Sequence, residues 1–301
     1  MNTVMQPFGK GGAGPRRTAR ELDCRGLRLG FGERTVIVGI LNATPDSFFD
    51  GGRWKTPVDA AARARQMVEE GAEIVDLGGQ STRPGHAEIS PEEEVGRVRP
   101  ILDQLVSSPP APISIDTYRP AVARAALVAG AHLINDGHGF QGDPEMAAVA
   151  AEFRCPAVLM HCEAGFDSAP GDPIGRIKRF FSRSLEIAAR AGVPSGRLIL
   201  DPGIGFHKTQ SQNLEILARI SELGSFGLPL LLGASRKSVI GHVLGGPPEE
   251  RLEGTLATTA LAVSQGVEFV RVHDVLANVR AARMAEAVLA RAHGKTSSLQ
   301  C

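Results

Sequence analysis

The chain has 301 residues, with 33 Lys+Arg against 33 Asp+Glu, 43% hydrophobic residues and only 5% aromatic ones. Balanced charge excludes a net field that would draw the chain to nucleic acid or anionic lipid, and no apolar run approaches the about 20 residues of a membrane span. Cys24, Cys155, Cys162 and Cys301 show neither C-x-x-C spacing nor the density of a disulfide scaffold, which points to a reducing, cytoplasmic setting.

The length suits one (β/α)8 barrel of about 250 residues with short extensions. We expect a flexible tail over residues 1–20, a single domain over 21–293 and a second tail over 294–301. Residues 22–35 alternate in polarity around Gly26 and Gly30, which predicts a β-hairpin able to plug one barrel end. Eight β-rich runs then follow at 36–41, 73–77, 112–116, 132–135, 157–161, 197–201, 228–232 and 268–272. Helical patterns lie between and after them at 57–70, 91–105, 120–129, 144–152, 173–191, 212–223, 249–264 and 275–292. Several helices start at Pro, whose missing N–H costs nothing in a first turn. Eight β-α units without a second linker or composition favour a closed α/β barrel, a TIM barrel, over an open doubly wound sheet.

In such a barrel, chemistry gathers where strands end and β-α loops begin. Those positions are Asn42, Asp76, Asp116, Asn135, His161, Asp201, Ser235-Arg236-Lys237, Arg271 and His273. Asp116, Asn135 and Asp201 supply oxygens that suit a flat heterocycle carrying N–H and amino groups. Arg236, Lys237, Arg271 and His273 imply an anion, and Arg offers a planar fork matched to phosphate. The same residues also suit plainer roles: Asp116 and Asp201 as caps, Lys237 and Arg271 as surface charges, His161 and His273 as structural histidines. His161-Cys162-Glu163 is not a zinc spacing. The stretch 203–209 has glycines before Lys208 but lacks the P-loop spacing. Two long polar loops, 42–52 and 78–85, have the character of lids over a barrel mouth.

These segments resemble the dihydropteroate synthases from about Val36 to about Glu286. The resemblance rests on Ile40-Leu41-Asn42-Ala43-Thr44-Pro45-Asp46-Ser47-Phe48, Gly78-Gly79-Gln80-Ser81-Thr82-Arg83-Pro84-Gly85, Ser114-Ile115-Asp116-Thr117-Tyr118 and Ile134-Asn135-Asp136. It continues through Asp201-Pro202-Gly203-Ile204-Gly205-Phe206, Ser235-Arg236-Lys237-Ser238 and Arg271-Val272-His273-Asp274. It implies a cytoplasmic homodimeric transferase of folate biosynthesis, and a sulfonamide target. Such an enzyme joins 6-hydroxymethyl-7,8-dihydropterin diphosphate to 4-aminobenzoate and releases pyrophosphate by SN1-like substitution.

By the same resemblance Asp116, Asn135, Met160, Asp201, Phe206 and Lys237 bind the pterin, and Asn42, Arg83, Arg271 and His273 bind the diphosphate. Phe48, Thr82, Pro84, Phe206, Lys237 and Ser238 form the 4-aminobenzoate site. Asn42, Arg83, Asp116, Asp201, Lys237, Arg271 and His273 carry catalysis. Magnesium is implied, with Asn42 as its protein ligand and Asp46 and Asp50 as auxiliary candidates. Gln80, His207 and Cys162-Glu163 depart from the family's usual residues. Two alternatives share the pterin pocket: a pterin-dependent methyltransferase, which needs neither the diphosphate cations nor both loops, and a catalytically silent pterin-binding homologue.

Overall fold

The computed structural model describes residues 19–43, 56–80 and 88–292. The chain opens with an antiparallel hairpin, β1 (Arg20–Cys24) and β2 (Leu27–Phe31). Both turn residues have positive φ, 54° at Arg25 and 97° at Gly26, the backbone of a tight two-residue hairpin turn. Gly30, the other glycine of the expected hairpin, lies inside β2 rather than in the turn. The Arg25 guanidinium donates to the carbonyls of Leu127, at 2.9 Å, and of Ala131, which ties the turn to the barrel floor.

Eight parallel strands follow: β3 (Val36–Asn42), β4 (Ile74–Gly78), β5 (Ile113–Asp116), β6 (Leu133–Asp136), β7 (Ala157–Met160), β8 (Leu198–Asp201), β9 (Leu231–Leu232) and β10 (Phe269–Val272). Their spatial order is β8-β7-β6-β5-β4-β3-β10-β9. The two ends of that order meet through one parallel bridge, Leu200 to Leu230, where the Leu200 N–H also donates to the Pro229 carbonyl at 2.9 Å. The expected barrel is therefore present, drawn together at its weakest seam by the shortest strand.

The helices are α1 (Pro57–Glu69), α2 (Pro91–Leu105), α3 (Pro120–Val128), α4 (Glu145–Glu152), α5 (Pro173–Ala191), α6 (Gln210–Arg219), α7 (Ser238–Leu244), α8 (Leu252–Ser264) and α9 (Val275–Ala292). Pro stands in the first turn of α1, α2, α3 and α5, as its fixed φ favours. Pro144 instead is the residue before α4. The structure corrects some boundaries. The expected helix 212–223 is α6 followed by a 3-10 turn, Ile220–Phe226, and the expected 249–264 begins with a 3-10 turn, Pro248–Glu250. The expected strand 228–232 keeps only Leu231–Leu232. The expected tail 1–20 ends earlier, since Arg20 opens β1; residues 1–18 and 294–301 lie outside the described residues.

Period-two alternation divides each strand between two cores. Ile37, Val75, Leu77, Ile113, Ile115 and Ile134 face the helices. Val36, Val38, Ile74, Leu133, Val158, Ile199, Leu231 and Phe269 cluster with Leu22, Cys24, Leu29 and Phe31 of the hairpin. The hairpin thus plugs the end where strands begin, each fully buried Leu or Phe contributing about 1.5–3 kcal/mol. Counting on by two from this apolar layer along each strand reaches Asp76, Asn135, Met160, Asp201 and Arg271, so the inward face changes from aliphatic to polar toward the strand C-termini.

Candidate active site

The polar layer is built by strand register. Gly78 of β4 pairs with Asp116 of β5, and Asp116 pairs with Asn135 of β6. On the next strands Met160 pairs with Asp201. Gly78 and Gly233 lie beside the side chains of this layer. A methyl group at Gly78 would stand 3.7 Å from both Asn42 Oδ1 and Asp116 Oδ2; one at Gly233 would stand 3.6 Å from Asp201 Oδ2, 3.9 Å from Lys237 Nζ and 4.0 Å from Arg271 Cβ. Asn42, Asp116, Asp201, Lys237 and Arg271 therefore converge on one mouth.

Arg271 occupies the centre. Its Nε donates to Asp76 Oδ2 at 2.6 Å and its Nη2 to Asp116 Oδ2 at 2.7 Å. Asn135 Nδ2 donates to the same Asp76 oxygen at 3.0 Å. Burial pushes the Asp116 carboxyl up to about 7, with the Arg271 charge opposing and Asp76 adding to the rise. Burial also raises Asp201, which Lys237 and the Gly203 N–H, at 2.8 Å, only partly offset. For Arg271 burial alone would lower its affinity for the proton, but Asp76, Asp116 and Asp201 outweigh it and raise it. Buried carboxylates held high in this way are short of donors, so N–H groups of an entering ligand would be welcome.

Lys237 Nζ donates to the Ile204 carbonyl at 2.5 Å and lies 4.5 Å from the centre of the Phe206 ring. Burial brings its ammonium down to about 8, against the pull of Asp201. A methyl group on Gly137 would touch Met160 Cε at 3.7 Å, so Met160, which is buried, forms an apolar wall under the β6 loop. Ser238 begins α7 and is exposed, where Gln210 Nε2 donates to its hydroxyl at 3.4 Å. His273 stands 3.0 Å from Ser235 Oγ through Nδ1 and donates its backbone N–H to the same hydroxyl at 3.2 Å. Among the residues expected at the site, Arg83, Phe48, Thr82 and Pro84, with the auxiliary acids Asp46 and Asp50, lie outside the described residues.

One expected cation has another task. Arg236 donates through Nε and Nη2 to both oxygens of Asp274, at 2.9 and 2.6 Å, and sits at φ 57°. Its fork holds the turn that presents Ser235 and Lys237, and is engaged away from an anion. Two residues without an assigned role prove structural to the site. Asp76 was legible as a strand end, but not as the shared acceptor of Arg271 and Asn135. Lys208 is buried, and its ammonium donates to the carbonyls of Gly203, Phe206 and His161 at 2.8, 3.0 and 3.3 Å and lies 2.9 Å from His161 Nδ1. Burial, then Lys208, brings His161 down to about 2, so the ring is neutral, and it is boxed by Phe166 and Phe180. The departures also have places: Gln80 Nε2 donates to Tyr118 Oη at 3.1 Å, and His207 adopts φ 46°, a left-handed backbone that favours glycine.

Residues 38–273 match the family model described as pterin binding enzyme. The chain is 47% identical over 263 residues to the dihydropteroate synthase of Clostridium beijerinckii, covering 86% of this chain and 96% of that protein. The chain belongs to the dihydropteroate synthase family. Solved structures agree. The dihydropteroate synthase of Clostridium difficile, crystallised in the presence of pteroic acid, superposes with a TM-score of 0.82 at 48% identity, covering 86% of this chain and 98% of that one. The Xanthomonas albilineans enzyme with 4-aminobenzoic acid gives 0.85 at 40% identity, covering 91% and 99%. The family's barrel explains why the polar residues of this chain gather at the C-terminal ends of the strands.

The described residues contain no group of three or more His, Cys, Asp or Glu side chains able to hold a metal, so their donors do not suit an ion caged by protein. Asn42 Oδ1, beside Gly78 and near Asp116, suits instead a hard cation that keeps most of its shell as water and phosphate oxygens.

Proposed function

We propose that the chain is a dihydropteroate synthase that condenses 6-hydroxymethyl-7,8-dihydropterin diphosphate with 4-aminobenzoate, releasing pyrophosphate. The observation that carries this reading is the convergence of Asp116, Asn135, Asp201, Lys237 and Arg271 at one barrel mouth in a chain so similar to dihydropteroate synthases. The pterin lies in the barrel on Asp116, Asn135 and Asp201, with Met160 and Phe206 as apolar walls and Lys237 beside Asp201. The donor-poor carboxylates accept the N–H groups of its guanidine-like edge.

An arylamine sheds a proton easily after attack, so leaving-group departure is the demanding step. Carbon–oxygen cleavage comes first and sends positive charge into the dihydropterin ring, which the buried Asp116 and Asp201 carboxylates stabilise. Arg83, Arg271, His273 and Asn42 hold the diphosphate as its charge grows. Asn42 would hold a magnesium ion, which when bound would supply Lewis-acid stabilisation of the leaving group. The amine of 4-aminobenzoate, seated by Phe48, Thr82, Pro84, Phe206, Lys237 and Ser238, then attacks the exocyclic carbon and loses its proton. Arg271 serves both ends of the reaction: it neutralises Asp116 in the pocket and offers its remaining N–H groups toward the leaving group.

The chain works as a homodimer. This is supported by exposed apolar side chains on the last three helices, Val243, Leu244, Leu261, Leu276, Met284 and Val288, of a kind that marks interaction surfaces. No described helix is long and apolar enough to cross a membrane. Incubation with the pterin diphosphate, 4-aminobenzoate and magnesium should yield dihydropteroate and pyrophosphate in equal amounts. Absence of both products from folded protein would overturn the reading, and methyl transfer from a pterin would favour the methyltransferase alternative.

A further inference from the structure

Asp76 lies two residues deeper along β4 than Gly78, and Gly78 is the level of Asp116 and Asn135. It is 1% exposed. One of its oxygens, Oδ2, accepts from Arg271 Nε at 2.6 Å and from Asn135 Nδ2 at 3.0 Å. The other, Oδ1, is buried without a hydrogen-bond partner, and Asp76 lines a narrow axial cavity together with Ser114, Asn135 and Arg271. An ionised carboxylate can only accept, so whatever faces it must donate. That requirement orients the Asn135 amide: its NH2 group turns down to Asp76, and its oxygen is left as the edge offered toward the mouth. The same carboxylate takes one edge of the Arg271 fork and so fixes the direction of the Nη2 group that meets Asp116.

We propose that Asp76 is a specificity-determining positioning residue that makes Asn135 an acceptor and Arg271 a fixed counter-ion, so that the pocket selects heterocycles with a donor edge. This rests on the pterin reading given above and adds the residue that sets its polarity. Asp76 acts through Asn135 and Arg271 and is not a catalytic residue. An amide without Asp76 could turn either edge to the ligand, and the selectivity for N–H donors would fade, since a buried site built for one hydrogen-bond pattern rejects a mismatch strongly.

The test is a reciprocal exchange, read as the dissociation constant of 6-hydroxymethylpterin by calorimetry, with 4-aminobenzoate KM and kcat measured alongside. Asn135→Asp sets two carboxylates against each other, and Asp76→Asn removes the charge that holds Arg271. Each alone should weaken pterin binding about 10- to 100-fold, the range expected when a buried charged hydrogen bond is lost, with a smaller effect on 4-aminobenzoate KM. The exchange variant Asp76→Asn/Asn135→Asp restores one donor facing one acceptor and still offers the ligand an oxygen. It should recover to within about tenfold of the parent. An exchange variant no better than Asn135→Asp, or a folded Asp76→Asn with the parent's pterin affinity, would overturn the proposal. If Asp76→Asn does not fold, the exchange variant still decides. Because the parent's turnover is measured separately, failure of this idea is distinguishable from failure of the functional reading.

Discussion

Arg271→Ala should cost more stability than any surface substitution, and the loss should depend on pH. Arg271 bridges two carboxylates, at 2.6 Å to Asp76 and 2.7 Å to Asp116, with side-chain exposures of 17% for the arginine against 1% and 19% for the acids. Truncation leaves both acids facing each other in the barrel with their shared counter-ion gone. Removing one partner of a buried ion pair costs about 3–5 kcal/mol, because the remaining charge is left without compensation. Protonation offers an escape. Asp116 already titrates at about 7 in the folded parent, raised first by burial and held down by Arg271, so its folded value in the variant must be higher still. A carboxyl raised above its ordinary value contributes full stability below that ordinary value, near pH 4, and loses it as pH rises through the folded value. The deficit of Arg271→Ala should therefore be smaller near pH 5 and grow as pH rises past 7, reaching its full size only above the variant's own, higher Asp116 value. Urea unfolding followed by circular dichroism at pH 5, 7 and 8.5, with the m-values compared, measures this directly. A deficit that is the same at pH 5 and 8.5, or one under about 1 kcal/mol at the higher pH, would refute the view that Arg271 balances buried acids.

Asp201→Asn places donors where the pterin also has donors and should weaken pterin binding by about 1–3 kcal/mol; calorimetry giving the parent's affinity would remove Asp201 from the pocket. Lys208 is brought down by burial from 10.5 to about 7, so the unfolded chain binds more protons between those values and the parent should gain stability from pH 7 to 10. Lys208→Met should show a smaller gain in parallel denaturant titrations, keeping only the part that Lys237, itself brought down to about 8, contributes above that pH. His207→Gly replaces a side chain at φ 46°, a backbone that costs L-residues about 1–2 kcal/mol. Thermal melts should show the variant as stable as the parent or slightly more so, and a clear fall would mean that the His207 side chain makes a stabilising contact. Finally, on the expectation that Phe48, Thr82 and Pro84 belong to two loops that close over the mouth, 4-aminobenzoate should bind poorly alone and about 5- to 100-fold better with pyrophosphate, magnesium and a pterin present. Equal affinity in both titrations would rule out ordered assembly.

Much of the architecture was legible locally. The eight strands appeared as short β-rich runs because each is buried on both faces, and four helix starts appeared as Pro residues because the first turn needs no N–H. The hairpin was visible in its alternation, and Asp116, Asn135, Asp201, Lys237 and Arg271 stood out because strand ends are where polar residues interrupt aliphatic runs. The sequence alone also carried the family, through seven motifs spread along the barrel. What it did not carry were pairings between distant positions. The closing bridge from Leu200 to Leu230, the engagement of Arg236 by Asp274 and the meeting of Lys208 with His161 all join residues by chain paths that no local period encodes. Asp76 is the clearest case. In the sequence it is a polar strand end without a partner; only when the barrel closes does the inward face of β4 bring it to Arg271, 195 residues later, and to Asn135, 59 residues later. Local patterns decide which residues face inward, whereas which inward residues meet depends on how eight strands wrap around one axis, and that is decided by packing in three dimensions.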